Sequence, residues 1–490
     1  MTQPHTSRSA RINFAGAVVL LALAVFTGGS SQESGVGVVI LQLAALPCIA
    51  WLAWQHLGGQ ARPWPWQWAA LVAAILAVPL LQLLPVPSAL ASMGEARALL
   101  QADLAVAGAP AATRATLDPA ATRASLHALL PALAVFGLVL ALPIHMHRRL
   151  AWFIAALAMA SLLLGILQLG APQESVLNPY PQWRPAMNGF FANPNHQATL
   201  LVVAGVLAAG WLFHAPADTR RHGEDRGRGV ISRVAAAAVV VLAIAALPLT
   251  GSRAGVIIFI LALAAVVASQ GWRLRAPRKR RLLVAGSAAI AALGVLAATR
   301  WMRVDAAQEL RQPLRQATLE VAGAHAPLGS GAGTFVPVFE QATSGELLMP
   351  NYVNHAHNEY AQWLLEAGVL AIPAFALALI ALIAAARAML RLPPPARTAG
   401  TCALLALLAI AAHSLVDYPL RTQAMLTVAA ALAAIIATAH RAPTGTPTGR
   451  GYAPDTPATP TATRITKTRD NSHSTSAAAH PPGAPATGTK

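Results

Sequence analysis

HAHNEYAQWLLEAGVLAIPAFALALIALIAAA, residues 355–386, begins with two imidazoles, an amide, a carboxylate and a phenol and ends as an apolar run. The stretch from 360 to 386 exceeds the roughly 20 residues that carry a helix across a bilayer. An Asn358 cap would start that helix at Glu359 and put Glu359, Trp363 and Glu366 on one face, as i, i+4 and i+7 neighbours. Glu366 would then enter the membrane zone, where ionisable groups are expensive and face a cavity or a partner. An ordinary polar helix cap would account for the same residues without chemistry.

Similar apolar runs recur on either side. With 56% hydrophobic and 11% charged residues in 490, against about 25% charged in an average soluble domain, the chain reads as an all-α membrane protein. Candidate spans lie near 12–27, 36–57, 68–84, 126–144, 150–170, 196–214, 234–250, 254–270, 282–299, 360–386, 399–415 and 422–440. This gives about 12 transmembrane helices in one domain, 1–440. Arg8 and Arg11 before the run Ile12 to Phe26 imitate a signal peptide, but no small-residue cleavage site follows closely, so an uncleaved first helix is expected. Cys48 and Cys402 fall in apolar runs far apart, which indicates neither a disulfide framework nor a zinc site.

The formal charge of +17 raises the possibility of nucleic-acid binding. Topology explains it better. With the N-terminus inside, the inner loops and both termini hold 25 of the 35 basic residues and 5 of the 18 acidic ones. This is the positive-inside bias, and it favours an even number of spans, cytoplasmic ends and no nucleic-acid partner. Beyond His440 the sequence turns to Pro, Thr, Ala and Gly, and 441–490 reads as a disordered cytoplasmic tail.

Three outward stretches exceed what a turn requires: about 85–125, 171–195 and 300–359, the last before the tenth span. The first, with Arg97, Asp103, Arg114, Asp118 and Arg123 scattered through it, reads as a surface helix and linker. In the third, Leu310, Leu314 and Val321 recur at helical spacing, as in a helix lying on the membrane surface that Pro313 starts or kinks.

Chemistry-bearing residues concentrate outward. His357 has the side chain best suited to general base work near neutral pH. His-x-His beside a carboxylate can also hold zinc or manganese, but no third fixed ligand is evident, and His325 is distant in sequence. Thr250-Gly251-Ser252-Arg253-Ala254-Gly255 joins two spans, and the Arg253 guanidinium there matches phosphate geometry. Snorkelling into headgroups would also satisfy it. Residues 182–196, from Gln182 to His196, mix aromatics, amides and turn formers suited to sugar faces and hydroxyls, with Arg184, Asn195 and His196 as contacts. An interfacial aromatic belt would use the same rings. In Asp417-Tyr418-Pro419-Leu420-Arg421, Asp417 and Arg421 can pair with each other. Gly329-Ser330-Gly331-Ala332-Gly333 lacks the Lys-Ser/Thr of a phosphate loop and reads as a flexible turn.

Taken together, GFFANPNH at 189–196, TGSRAG at 250–255, PLGSGAGTF at 327–335, HAHNEYAQWLLEAGVL at 355–370 and SLVDYPLR at 414–421 resemble the O-antigen ligase superfamily. That superfamily includes lipopolysaccharide O-antigen ligases, Wzy-type polymerases and bacterial O-oligosaccharyltransferases. The resemblance is best over about 180–435. His357, Asn358 and Gly368 fit the ligase pattern, while Ala371 departs from it, a difference that touches the assignment to true ligases more than to the superfamily.

The resemblance implies a GT-C-like fold in the bacterial inner membrane with a periplasmic loop over about 300–359. It implies transfer of a glycan from an undecaprenyl-diphosphate carrier to an acceptor hydroxyl on lipid A core, a glycan repeat or a protein Ser/Thr. Neither metal nor cofactor is expected. His357 and Arg253 are then the expected catalytic residues, and Arg184, Asn195, His196, Asn358, Glu359 and Arg421 the substrate contacts. The alternative, a transporter or flippase of lipid-linked glycans, would show charges along the middle of several spans and internal repeats, and the sequence has neither.

Overall fold

The computed structural model describes residues 7–441 apart from 32–34, 60–62, 173, 181–186, 213–222, 271–275, 303–310, 344–352 and 393. The expected 441–490 tail and Arg184 therefore fall outside the described residues, except for position 441. The first half of the chain forms α1 (Arg8–Thr27), α2 (Val36–Leu57), α3 (Trp66–Leu83), α4 (Ser88–Ala91), α5 (Glu95–Val106), α6 (Pro119–Ala128), α7 (Leu130–Leu140), α8 (Ile144–Leu169) and α9 (Pro194–Leu212). The second half forms α10 (Gly223–Ala246), α11 (Arg253–Gln270), α12 (Pro277–Met302), α13 (Arg311–Ala324), α14 (Phe335–Ala342), α15 (Glu359–Ala367), α16 (Ala371–Met389), α17 (Pro394–His413) and α18 (Gln423–Ala437). Among the described residues there is no strand, only an isolated bridge between Pro85 and Arg114.

Among the described residues, nine helical segments are long and apolar enough to cross a membrane, and Arg397–His413 and Gln423–Ala437 are shorter apolar helices. Every segment expected to span falls on helix, 126–144 and 360–386 on two helices each, but α12 and the two shorter helices fall outside the nine.

The centre of the bundle is α9. Each residue from His196 to Trp211 is buried, as expected of a helix apolar on all sides and enclosed by others; α8, α10, α11 and α17 surround it. Outer helices leave Ile40, Leu43, Leu379 and Ile383 exposed, a surface that suits hydrocarbon. Helix starts follow local capping chemistry. Asp118 accepts from the Ala120 and Ala121 amides ahead of Pro119, and Thr422 caps α18 through the Met425 amide.

The expected continuous helix over 360–386 is interrupted. α15 ends at Ala367, Gly368 takes φ +55°, and after one 3-10 turn α16 begins. The cause is a neighbouring extended segment of backbone. Ser330 and Gly331 amides donate to the Leu365 and Glu366 carbonyls, both at 2.9 Å, and the Val369 amide donates to Pro327 O at 2.8 Å. These bonds satisfy carbonyls that a helix end leaves open. The approach leaves no room for a Cβ on Gly368 or Gly329.

The 327–335 segment is accordingly a fixed splice rather than a flexible turn. Gln82 of α3 bridges it to α15 by donating to Glu366 O and accepting from the Ala332 amide. The 85–125 stretch contributes Arg97, 1% exposed, which donates to the carbonyls of Ala115 and Gly329. What reads in sequence as a linker is thus a brace. α13 is also not loose on a surface: Leu314, Ala317, Thr318 and Val321 are buried, and the helix packs on α15.

Candidate active site

One end of the bundle gathers a cluster of buried polar residues. α15 starts there because Asn358 Oδ1 accepts from the Ala361 amide at 2.9 Å, the cap expected from sequence. The other half of the Asn358 amide donates to Leu415 O at 2.7 Å. The Glu359 amide donates to Ser414 O, and the Glu359 carboxylate accepts from the Leu420 amide at 2.6 Å and from the Ser414 hydroxyl at 3.4 Å. Asn358 and Glu359 thereby fasten the start of α15 to the α17–α18 connection.

That connection supplies the centre of the cluster. Tyr418 is 4% exposed, and three imidazoles surround its ring. The ring centroids of His355, His357 and His196 lie 4.3, 4.9 and 4.9 Å away. Burial, with the Asp417 carboxylate beside it, keeps the phenol protonated well above its ordinary range.

Asp417 is fully buried. His196 Nε2 lies 3.3 Å from its Oδ1, Asn193 Nδ2 donates to Oδ1 at 3.2 Å, and Arg311 lies 3.6 Å from Oδ2. Burial alone would push this carboxyl up. The His196 imidazole 3.3 Å away and the Arg311 guanidinium outweigh it and hold the group below the carboxylate range.

The expected Asp417–Arg421 pairing does not form. The 3-10 turn Pro419–Arg421 separates the two side chains, and Arg421 instead pairs with Glu366 at 2.7 Å. From there polar contacts run through Gln362, whose Nε2 donates to Glu366 at 2.9 Å, to His355 Nδ1 at 3.1 Å from the same amide group. Trp363 packs near Phe375, with ring centroids 6.1 Å apart.

His357 is set apart by its backbone. At φ +49° it is the one non-glycine residue in the left-handed region among the described residues. Holding a side-chain-bearing residue there costs about 1–3 kcal/mol and is sustained only by surrounding structure, here the Asn358 cap and the clamped connection. Burial lowers the His357 pKa below its ordinary value, partly offset by the Asp417 charge. Its buried Nδ1 has no hydrogen-bond partner. His355, lowered further by burial and by Arg421, is neutral as well.

Two more elements deliver residues to this end. Asn193 caps α9 by accepting from the Asn195 amide, which places Asn195 and His196 in the first turn. Gly189, at φ +58°, fits against Ser161 and Gln197 and is bonded to Gln168 on both its amide and carbonyl. In the α10–α11 turn, Ser252 receives the Gly255 amide and itself donates its amide to Thr250, so that half-buried Arg253 opens α11. Gly255 packs against Ala198, which sets the start of α11 beside the start of α9.

Of the residues expected from sequence, His357, His196, Asn358, Glu359 and Arg421 meet around the α17–α18 connection. Arg253 and Asn195 open adjacent helices. Residues missed as members are Tyr418, Asp417, Arg311, Asn193 and His413; the last shares a 2.7 Å bond with Thr199. The DYPLR motif was visible in sequence, but its central position was not. His325 turns away, its Nδ1 on Val321 O. Among the described residues no group of three His, Cys, Asp or Glu side chains is arranged to hold a metal ion.

Residues 238–376 match a family model described as O-antigen ligase. No curated protein matches the chain.

Proposed function

We propose, from the match of residues 238–376 to a family model described as O-antigen ligase, that the chain is a member of the O-antigen ligase superfamily and transfers a glycan from an undecaprenyl-diphosphate carrier to an acceptor hydroxyl. The family match supports membrane glycan handling of ligase or polymerase type. The observation that carries the finer reading is His357: a strained, neutral imidazole with an unpartnered buried nitrogen, beside Tyr418 and in the field of Asp417.

In this reading His357 takes the proton of the acceptor hydroxyl as its oxygen attacks the anomeric carbon. The bond from that carbon to the phosphate oxygen breaks, and the polyprenyl diphosphate leaves with the electron pair. Attack opposite the leaving group inverts the anomeric centre. Arg253, with Arg184 and Arg421, stabilises the departing diphosphate, as fixed charge in a poorly solvated site can. Asp417 sets the charge around His357. Asn195 and His196 line the glycan side, Asn358 and Glu359 hold the start of α15 in place, and the apolar helices receive the polyprenyl tail. No metal or cofactor takes part in this scheme. The site faces the periplasm of the bacterial inner membrane, both termini being cytoplasmic by the charge bias, with the expected twelve spans.

The acceptor is lipid A core, a glycan repeat or a protein Ser/Thr. A deletion strain examined for lipopolysaccharide banding, exopolysaccharide yield and glycoprotein mass tests the reading. One of the three should change and be restored by the intact gene but not by His357→Ala. A strain unaltered in all three contradicts it.

A further inference from the structure

At the end of the bundle opposite Tyr418, a cavity of about 580 Å³ opens between the start of α8, the ends of α9 and α18 and the start of α17. Nothing in the proposed transfer uses it. Its wall is apolar, with Leu207, Trp211 and Ile435, and Trp211 is fixed by stacking on Trp152 at a centroid distance of 3.8 Å. No acidic residue is among those lining it.

The charged residue among those lining it is basic. His145 and Arg148 line it, and the Arg148 guanidinium is held by donation to the Ser232 hydroxyl at 3.1 Å. α8 begins here after Pro143, with neither a side-chain cap nor an acidic residue in its first turn, so unsatisfied amides and the positive end of the helix dipole lie at the same place. Arg397 grips the carbonyls of Leu390 and Leu392 beside it.

The second observation is His147, 6% exposed and part of the lining. Its Nε2 is buried without a partner. An imidazole nitrogen donates or accepts according to the tautomer, and a hydroxyl can meet either. A buried polar atom of this kind calls for a partner from the occupant.

An anion for the basic rim, a hydroxyl for His147 Nε2 and hydrocarbon for the wall are three demands on one molecule. Basic pockets between membrane helices receive anionic lipid headgroups. We propose that this cavity binds an anionic glycerophospholipid whose headgroup carries free hydroxyls, as phosphatidylglycerol does. The phosphate faces Arg148 and the start of α8, a headgroup hydroxyl bonds to His147, and an acyl chain lies along Leu207 and Trp211. The site is independent of the glycan-transfer reading.

The full chain, purified in detergent and depleted of lipid, can be titrated with phosphatidylglycerol, phosphatidylcholine or phosphatidic acid and read by native mass spectrometry. Phosphatidylglycerol should bind more tightly than phosphatidylcholine, and Arg148→Gln should weaken it about fivefold, the worth of one basic residue near an anionic lipid. Ala399→Trp, at the exposed part of the lining, should block it. His147→Phe should abolish discrimination between phosphatidylglycerol and phosphatidic acid. Arg148 and Ala399 are surface positions, so these two variants keep the test valid if His147→Phe fails to fold. Equal binding of phosphatidylglycerol and phosphatidylcholine, or undiminished binding in Arg148→Gln and Ala399→Trp, overturns the proposal.

Discussion

The imidazole of His357 stands nearly edge-on to the phenol ring of Tyr418, with centroids 4.9 Å apart and planes inclined at 72°. This contact joins the start of α15 to the α17–α18 connection, and two further imidazoles lean on the same phenol. Tyr418 is therefore a wall for His357, and its ring matters more than its hydroxyl, whose hydrogen bond to Asn354 is 3.3 Å long. Tyr418→Phe should keep glycan transfer within about fivefold, whereas Tyr418→Ala should destabilise the protein by about 3–5 kcal/mol and abolish transfer. Parallel transfer assays and thermal melts decide this; a larger activity loss in the Phe variant than in the Ala variant would refute it.

Asp417 is a buried carboxylate whose pKa is held below its ordinary value of 3.8. A depressed carboxyl contributes stability that is present above the unfolded pKa and is lost as pH falls through the folded one. Melting temperature should therefore be insensitive to this group from pH 7 down to about pH 5 and fall below about pH 4. Asp417→Asn should lower stability at pH 7 by about 3–5 kcal/mol, because Arg311 loses its counter-charge and the buried contacts to His196 and Asn193 are disturbed. The gap from wild type should narrow at low pH, and a gap that stays constant would show that the charge does not act.

His357, lowered by burial, should give the pH profile of kcat/KM an acid limb below 6.5, since the base must be neutral. The Asp417 charge acts to raise this pKa, so Asp417→Asn should move the limb further down. An upward move would mean that another group titrates.

Glu366 and Arg421 form a 2.7 Å pair with side chains 5% and 17% exposed. Glu366→Ala or Arg421→Ala should each cost about 3 kcal/mol, and the double variant less than their sum. Additive losses in denaturation of the purified protein would show that the pair is not coupled.

The sequence shows the apolar helices, because length and composition alone reveal them, and it shows the Asn358 cap, because a cap is local. The break at Gly368 is not visible. Apolar residues continue on both sides, and the cause is backbone from 327–331 that only the fold brings alongside. Asp417 and Arg421, four residues apart, suggest a local pair; a 3-10 turn sends them to partners at 196, 311 and 366. The buried face of α13 is legible at Leu314 and Val321, but its partner α15 is not. His357, His196 and Arg421 stand out in sequence by residue type, whereas Tyr418 gains its role only from contacts with three separated histidines.

The transfer reading rests on His357, and its most direct test is turnover of a purified polyprenyl-diphosphate-linked oligosaccharide in proteoliposomes by the wild type and by His357→Ala, each reconstituted at equal amounts and checked for donor binding. Donor binding by His357→Ala should stay near that of the wild type while its rate falls by about 100-fold or more, the usual worth of a general base. Turnover within a few-fold of wild type by His357→Ala would contradict it.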